Sequence, residues 1–146
     1  MPYFVYKSRQ LFYREQGEGP LLLILPGNTA SSACHDGELE YFARHYHTVA
    51  LDFCGTGQSD RLAEWPENWW EIGASDAAAL IAHLGETQAL VMGTSGGAVV
   101  ALLMAILFPD KVRAVVADSC IEHYPAALFR MAVAERRKRS KNEIAF

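Results

Sequence analysis

The chain has 146 residues, of which 51% are hydrophobic and 21% charged, and it carries a net charge of −4. That length builds one domain around one core, and that balance excludes a disordered chain. The acidic balance provides no general attraction for nucleic acid or an anionic membrane surface, so neither is expected as a partner.

The first residues, Met-Pro-Tyr-Phe-Val-Tyr-Lys, lack the long apolar core of a signal peptide, and no apolar run reaches membrane-spanning length. Cys34, Cys54 and Cys120 form neither a C-x-x-C pair nor a zinc spacing. The expectation is a cytoplasmic protein with buried or free thiols.

Tyr3 to Lys7 and Leu11 to Glu15 alternate loosely and read as two strands, a hairpin at a sheet edge. After a turn at Gly17-Glu18-Gly19-Pro20, the run Leu21-Leu22-Leu23-Ile24-Leu25 is continuously apolar, as in a strand buried on both faces. Ser31 or Ser32 is expected to cap a helix running to about His45. Thr48 to Asp52 reads as the next strand, and Cys54 to Asp60 as a glycine-rich loop. From Asn68 to Leu84 the spacing predicts a helix, with Ala77, Leu80, Ile81 and Leu84 on one face and Gly85 as its stop. Ala89 to Met92 is a strand, Ala98 to Phe108 a helix stopped by Pro109, and Val112 to Asp118 the last strand.

Strands alternating with helices predict an α/β fold, a mainly parallel sheet with helices on both faces. In such sheets ligands bind outside the carboxyl ends of the strands. Four informative segments fall at those ends: Pro26-Gly27-Asn28, Asp52 with its loop, Gly93 to Gly97, and Asp118.

Gly93-Thr94-Ser95-Gly96-Gly97 reads G-x-S-x-G between an apolar strand and an apolar helix. A serine on so sharp a turn needs small neighbours, and the result is a hydroxyl standing clear at a helix N-terminus. Ser95 is therefore the expected catalytic nucleophile. Acyl transfer also needs N–H donors for the negative oxygen of the tetrahedral intermediate. The amides of Gly96 and Asn28 are the expected oxyanion hole.

Pro26-Gly27, Asp52-Phe53-Cys54-Gly55-Thr56-Gly57-Gln58-Ser59 and the Ser95 motif, in this order, resemble the α/β-hydrolase fold family, over residues 1 to about 120. Leu-Pro-Gly looks like the branch of valacyclovir-hydrolase-type esterases. Gly27-Asn28 also resembles the oxyanion loop of haloalkane dehalogenases, but those use an aspartate followed by tryptophan where this chain has Ser95-Gly96. Dehalogenase and epoxide-hydrolase chemistry are thereby disfavoured, and an ester, thioester or amide is the implied small-molecule substrate. The resemblance implies two-step hydrolysis through a serine acyl-enzyme, without metal or organic cofactor, and a structural role for the Asp52 loop.

A serine needs a histidine base and an acid to orient it, and the family order is serine, acid, histidine. The chain is expected to stop after the sixth strand, with 1–120 as the N-terminal part of the core and 121–146 as the start of a lid. The usual acid and histidine are then expected beyond residue 146. Asp118 with His123 is a substitute pair that would need the chain to fold back over Ser95. His35, near the oxyanion loop, reads as a surface residue in preference to a pocket-lining one, and His45, His47 and His83 as lying away from the rim. Asp76 reads as a structural partner, the three tryptophans Trp65, Trp69 and Trp70 as packing in preference to bordering the acyl pocket, and Arg136-Arg137-Lys138-Arg139 as a solvated helix face. An unpaired sixth strand invites a complementary chain or a second copy. The alternatives to an enzyme are a small-ligand-binding protein and a half-domain on the same fold.

Overall fold

The structure is a computed structural model and describes residues 2–120. Its centre is the strand β3 (Leu21–Leu25), in which all five apolar residues are buried. Because side chains alternate across a strand, a run with no polar position must be covered on both faces. Leu21, Leu23 and Leu25 pack with Val49, Leu51, Val91, Leu80, Ile81, Val100 and Met104, whereas Leu22 and Ile24 pack with Leu39 and Ala50 on the other side. Each such leucine contributes roughly 2 kcal/mol of transfer free energy.

Around β3 the sheet has the order β1-β2-β4-β3-β5-β6. The hairpin of β1 (Tyr3–Tyr6) and β2 (Arg9–Gln16) is antiparallel, turned by Lys7 and Ser8 at φ 49° and 63°. Two left-handed residues match the twist of the strands they join. β2 lies antiparallel to β4 (His47–Leu51), and β4, β3, β5 (Ala89–Thr94) and β6 (Val112–Asp118) are parallel. Helices α2 (Trp69–His83) and α3 (Gly96–Leu107) cover one face and α1 (Asp36–Phe42) the other. The α/β architecture expected from the sequence is the one observed.

Two local readings need correction. No α-helix runs from Ser31 or Ser32 to His45: Ser32–His35 is a 3-10 turn, the α-helix starts at Asp36, and neither serine side chain caps it. The Ser32 amide goes to Asp52 instead, which holds the entry of the helix in another geometry. The helix ends at Phe42, whose carbonyl accepts the amides of both His45 and Tyr46 as the chain turns toward β4. His35 is buried, with Nδ1 3.2 Å from Glu38 Oε1, and is not the surface residue expected.

The α2 helix stops as expected. Gly85 adopts φ 79°, the Gly85 amide bonds the Ala82 carbonyl, and the Glu86 amide bonds the Ile81 carbonyl. This pair of bonds closes a helix with a left-handed residue. Arg9 pairs with the fully buried Asp76 of α2, and the Tyr6 and Ser75 hydroxyls meet at 3.1 Å. Together they pin the edge hairpin to α2, so Asp76 is the structural partner expected.

β6 is the outer strand among the described residues, and Val116 in it is 59% exposed. Between β3, β5, β6 and α1 lies a hollow of about 180 Å³ lined by Leu22, Leu90, Met92 and Val116. No helix among the described residues is long and apolar enough to cross a membrane. The expected lid segment 121–146, with His123 and the Arg136 to Arg139 run, falls outside the described residues.

Candidate active site

The sheet reverses direction of growth at β3, with β4 on one side and β5 on the other, and it is at the carboxyl ends of the strands at such a switch point that α/β sheets open a ligand crevice. Ser95 sits there, between the last residue of β5 and the first of α3. It has φ 55° and ψ −117°, a backbone conformation that costs a non-glycine residue about 1–3 kcal/mol. Its side chain is exposed while Gly96, Gly97 and Ala98 behind it are buried. The Ser95 carbonyl takes the Ala98 amide at 3.0 Å, yet the hydroxyl makes no capping bond and stays free of the helix.

The turn is that tight only because its neighbours have no side chains. A Cβ at Gly93 would overlap the Gly97 carbonyl, and one at Gly97 would overlap the carbonyls of Leu25 and Pro26. The elbow is thus pressed against the end of β3. At Gly27 a Cβ would lie 3.4 Å from Ser95 Cβ and 3.9 Å from Ser95 Oγ, so the loop after β3 passes directly beside the hydroxyl. In that loop the Ala30 amide bonds the Gly27 carbonyl at 3.1 Å, closing a turn with Asn28 and Thr29 at its tip.

Asn28 is exposed and its Oδ1 lies where a side chain on Gly96 would be. Among the described residues no acceptor takes the backbone amide of Asn28 or of Gly96. Gly96 opens α3, so its amide belongs to the unpaired set at the positive end of the helix dipole. Unpaired N–H groups beside a hydroxyl are the equipment for stabilising an oxyanion.

The Asp52 loop is fully occupied with structure. Asp52 is buried; its Oδ1 accepts the Ser32 amide at 2.6 Å and its Oδ2 the Gln58 amide at 2.7 Å. Ser59 donates to the Asp52 carbonyl at 2.6 Å, and a Cβ on Gly57 would overlap the carboxylate. Sequence reasoning assigned this loop no catalytic role, and the carboxylate is spent on backbone amides.

Asp118 ends β6 in register with Thr94, and its carbonyl accepts the Ser95 amide at 2.9 Å. Its carboxylate is exposed and takes the Ser119 hydroxyl at 3.1 Å. Thus the fold brings Asp118 beside the elbow, while its suggested partner His123 is outside the described residues. None of the described histidines bonds Ser95: His35 meets Glu38, His47 lies 2.8 Å from Glu15, and His83 stacks on Phe4. Among the described residues no group of three His, Cys, Asp or Glu side chains is placed to hold a metal ion.

The tryptophans divide. Trp69 is buried, edge-on to Phe53, and donates to the Cys54 carbonyl at 3.0 Å; Trp65 stacks on it at 5.0 Å. Trp70 is not core: its indole Nε1 donates to Asn28 Oδ1 at 3.1 Å. Sequence reasoning passed over that contact. A groove of about 670 Å³ between β2 and α1, lined by Arg14, Glu15, Asp36 and Glu40, contains none of these residues.

A parallel-centred sheet, a strained serine between strand and helix, and a glycine loop beside it define the architecture of an α/β-hydrolase. Residues 20–138 match the family model of the alpha/beta hydrolase fold, and the chain belongs to that family. It is 38% identical over 106 residues to a 2-(acetamidomethylene)succinate hydrolase of Mesorhizobium japonicum, covering 71% of this chain and 37% of the relative. It is 27% identical over 125 residues to epoxide hydrolase 4 of Mus musculus, covering 80% of this chain and 34% of the relative. Among solved structures, an E-2-(acetamidomethylene)succinate hydrolase superposes with a TM-score of 0.71 at 34% identity, covering 82% of this chain and 42% of that one. The chain therefore spans less than half the length of these relatives.

Proposed function

We propose that this chain is the nucleophile-bearing part of a serine hydrolase that cleaves a carboxylic ester, thioester or amide. The observation that carries the reading is Ser95 itself, an exposed hydroxyl held at φ 55° beside the Asn28 and Gly96 amides, both unpaired among the described residues. In the proposed reaction Ser95 Oγ attacks the acyl carbon, and the Asn28 and Gly96 amides receive the developing oxyanion. Collapse expels the alcohol, thiol or amine and leaves an acyl-serine that water hydrolyses. The histidine base and the acid that orients it are assigned to residues outside 2–120. A carboxylate nucleophile of the kind that opens epoxides has no counterpart here, because serine occupies the elbow. The relative with 38% identity is named for a substrate with an acetamido group on a succinate, so an acyl–nitrogen bond is the first substrate class to test.

The test is intact-mass analysis after exposure to a fluorophosphonate, with Ser95→Ala beside it. One adduct per chain, absent from the variant, supports the reading. A folded chain that takes no adduct means that these residues hold no activated serine, and overturns the reading for this chain.

A further inference from the structure

Trp70 and Asn28 are 42 residues apart, one in the first turn of α2 and the other at the tip of the loop after β3. Their contact joins two elements that otherwise meet the crevice separately. Asn28 Oδ1 is held between the indole N–H, at 3.1 Å, and the Cα of Gly96. Among the described residues the Ala30 amide closes the turn on the Gly27 carbonyl, and Thr29 stands at φ 64°, which a β-branched residue rarely adopts. Four residues past Asn28 the Ser32 amide is anchored on Asp52.

We infer that Trp70 is a positioning residue for the oxyanion hole, acting through the side chain of Asn28. This rests on the reading of Ser95 as nucleophile. By fixing the Asn28 side chain, the indole fixes the peptide plane whose N–H is to face the oxyanion. A donor that must be reordered during the reaction stabilises the transition state less than one already in place. Trp70 is partly exposed and carries no core packing comparable with that of Trp69, so its N–H, more than its bulk, is the functional part.

The test uses the whole chain and the variants Trp70→Phe, which keeps a ring but loses the donor, Asn28→Ala, which keeps the backbone amide, and the double variant. The readouts are the rate of fluorophosphonate addition to Ser95 and the backbone ¹⁵N order parameter of residue 28. Trp70→Phe is expected to react about five- to tenfold more slowly, the effect of one hydrogen bond. Asn28→Ala should match it, and the double variant should be no slower than either. In Trp70→Phe the Asn28 order parameter should fall while that of Gly93 stays level. Equal rates in wild type and Trp70→Phe, or multiplying effects in the double variant, overturn the inference. If wild type takes no adduct, the Ser95 reading fails on its own. The order parameter then decides the rest: a fall in Trp70→Phe supports positioning, and no change overturns it.

Discussion

The carboxylate of Asp52 accepts the backbone N–H of Ser32 at 2.6 Å, tying the end of β4 to the segment that leaves the loop beside Ser95. Its other oxygen holds the Gln58 amide at 2.7 Å, so one buried charge organises two loops. Charged acceptors of backbone N–H groups contribute about 1.5–3 kcal/mol each, and an amide left unpaired in the interior costs a similar amount. Asp52→Asn retains one acceptor and turns the other into a donor facing a donor. Its expected loss is about 2–4 kcal/mol, read as a lower urea midpoint at unchanged slope. A midpoint equal to wild type would show that water replaces the carboxylate without cost.

The strain at Ser95 has a separate signature. A glycine adopts φ 55° freely, whereas alanine carries the same strain as serine. Ser95→Gly is expected to be more stable than Ser95→Ala by about 1 kcal/mol, after the extra unfolded-state entropy of glycine is subtracted. Both should lose the fluorophosphonate adduct. Equal denaturation midpoints for the two variants would remove the case for strain.

Asp76 predicts a pH dependence. Burial pushes its carboxyl up to about 6 from 3.8, with Arg9 and Lys7 pulling it partly back. Its second oxygen and the Arg9 Nε have no partner among the described residues. Because the folded protein holds this proton more tightly than the unfolded chain, the contribution to stability is full below pH 3.8 and is lost as the pH rises through 6. The difference in unfolding free energy between wild type and Asp76→Asn is expected to fall by up to about 3 kcal/mol between pH 4 and pH 7. Chemical denaturation at several pH values measures it. A flat difference, or one rising with pH, would mean that the Arg9 pairing outweighs burial.

β6 makes the last prediction. Its outward residues, including Val116, are exposed on the outer strand among the described residues, and an open apolar edge templates pairing. The chain is expected to self-associate with rising concentration, and Val116→Lys to weaken that association at least several-fold. Light scattering coupled to size exclusion reads both. Equal masses for wild type and variant at all concentrations would place any association elsewhere.

Much of this was legible along the chain because its causes are local. Five consecutive apolar residues at 21–25 can only be a strand covered twice, and the small residues around Ser95 are demanded by a turn too tight for any others. Val112 to Asp118 was read with the bounds observed. Helix α1 was read too long at both ends: Ser32–His35 is a 3-10 turn whose Ser32 amide is held by Asp52, 20 residues away, and at the other end Phe42 turns the chain toward β4. His35 was read as surface because nothing nearby in sequence shows what covers it.

What the amino-acid order determined by itself is therefore the strand and helix alternation, the elbow and the family to which they belong. Each follows from backbone sterics and side-chain periodicity within a dozen residues. Only the tertiary structure decided which polar groups meet: Arg9 with Asp76, Ser32 with Asp52, Trp70 with Asn28. Adjacent Trp69 and Trp70 make the point most directly. Successive helical residues stand about 100° apart, so one indole enters the core and donates to Cys54, while the other faces Asn28. Which of the two does which depends on how α2 lies against the sheet, and that rotation is set by the packing of Ala77, Leu80 and Ile81 into the core, a property of the whole fold rather than of the tryptophan pair.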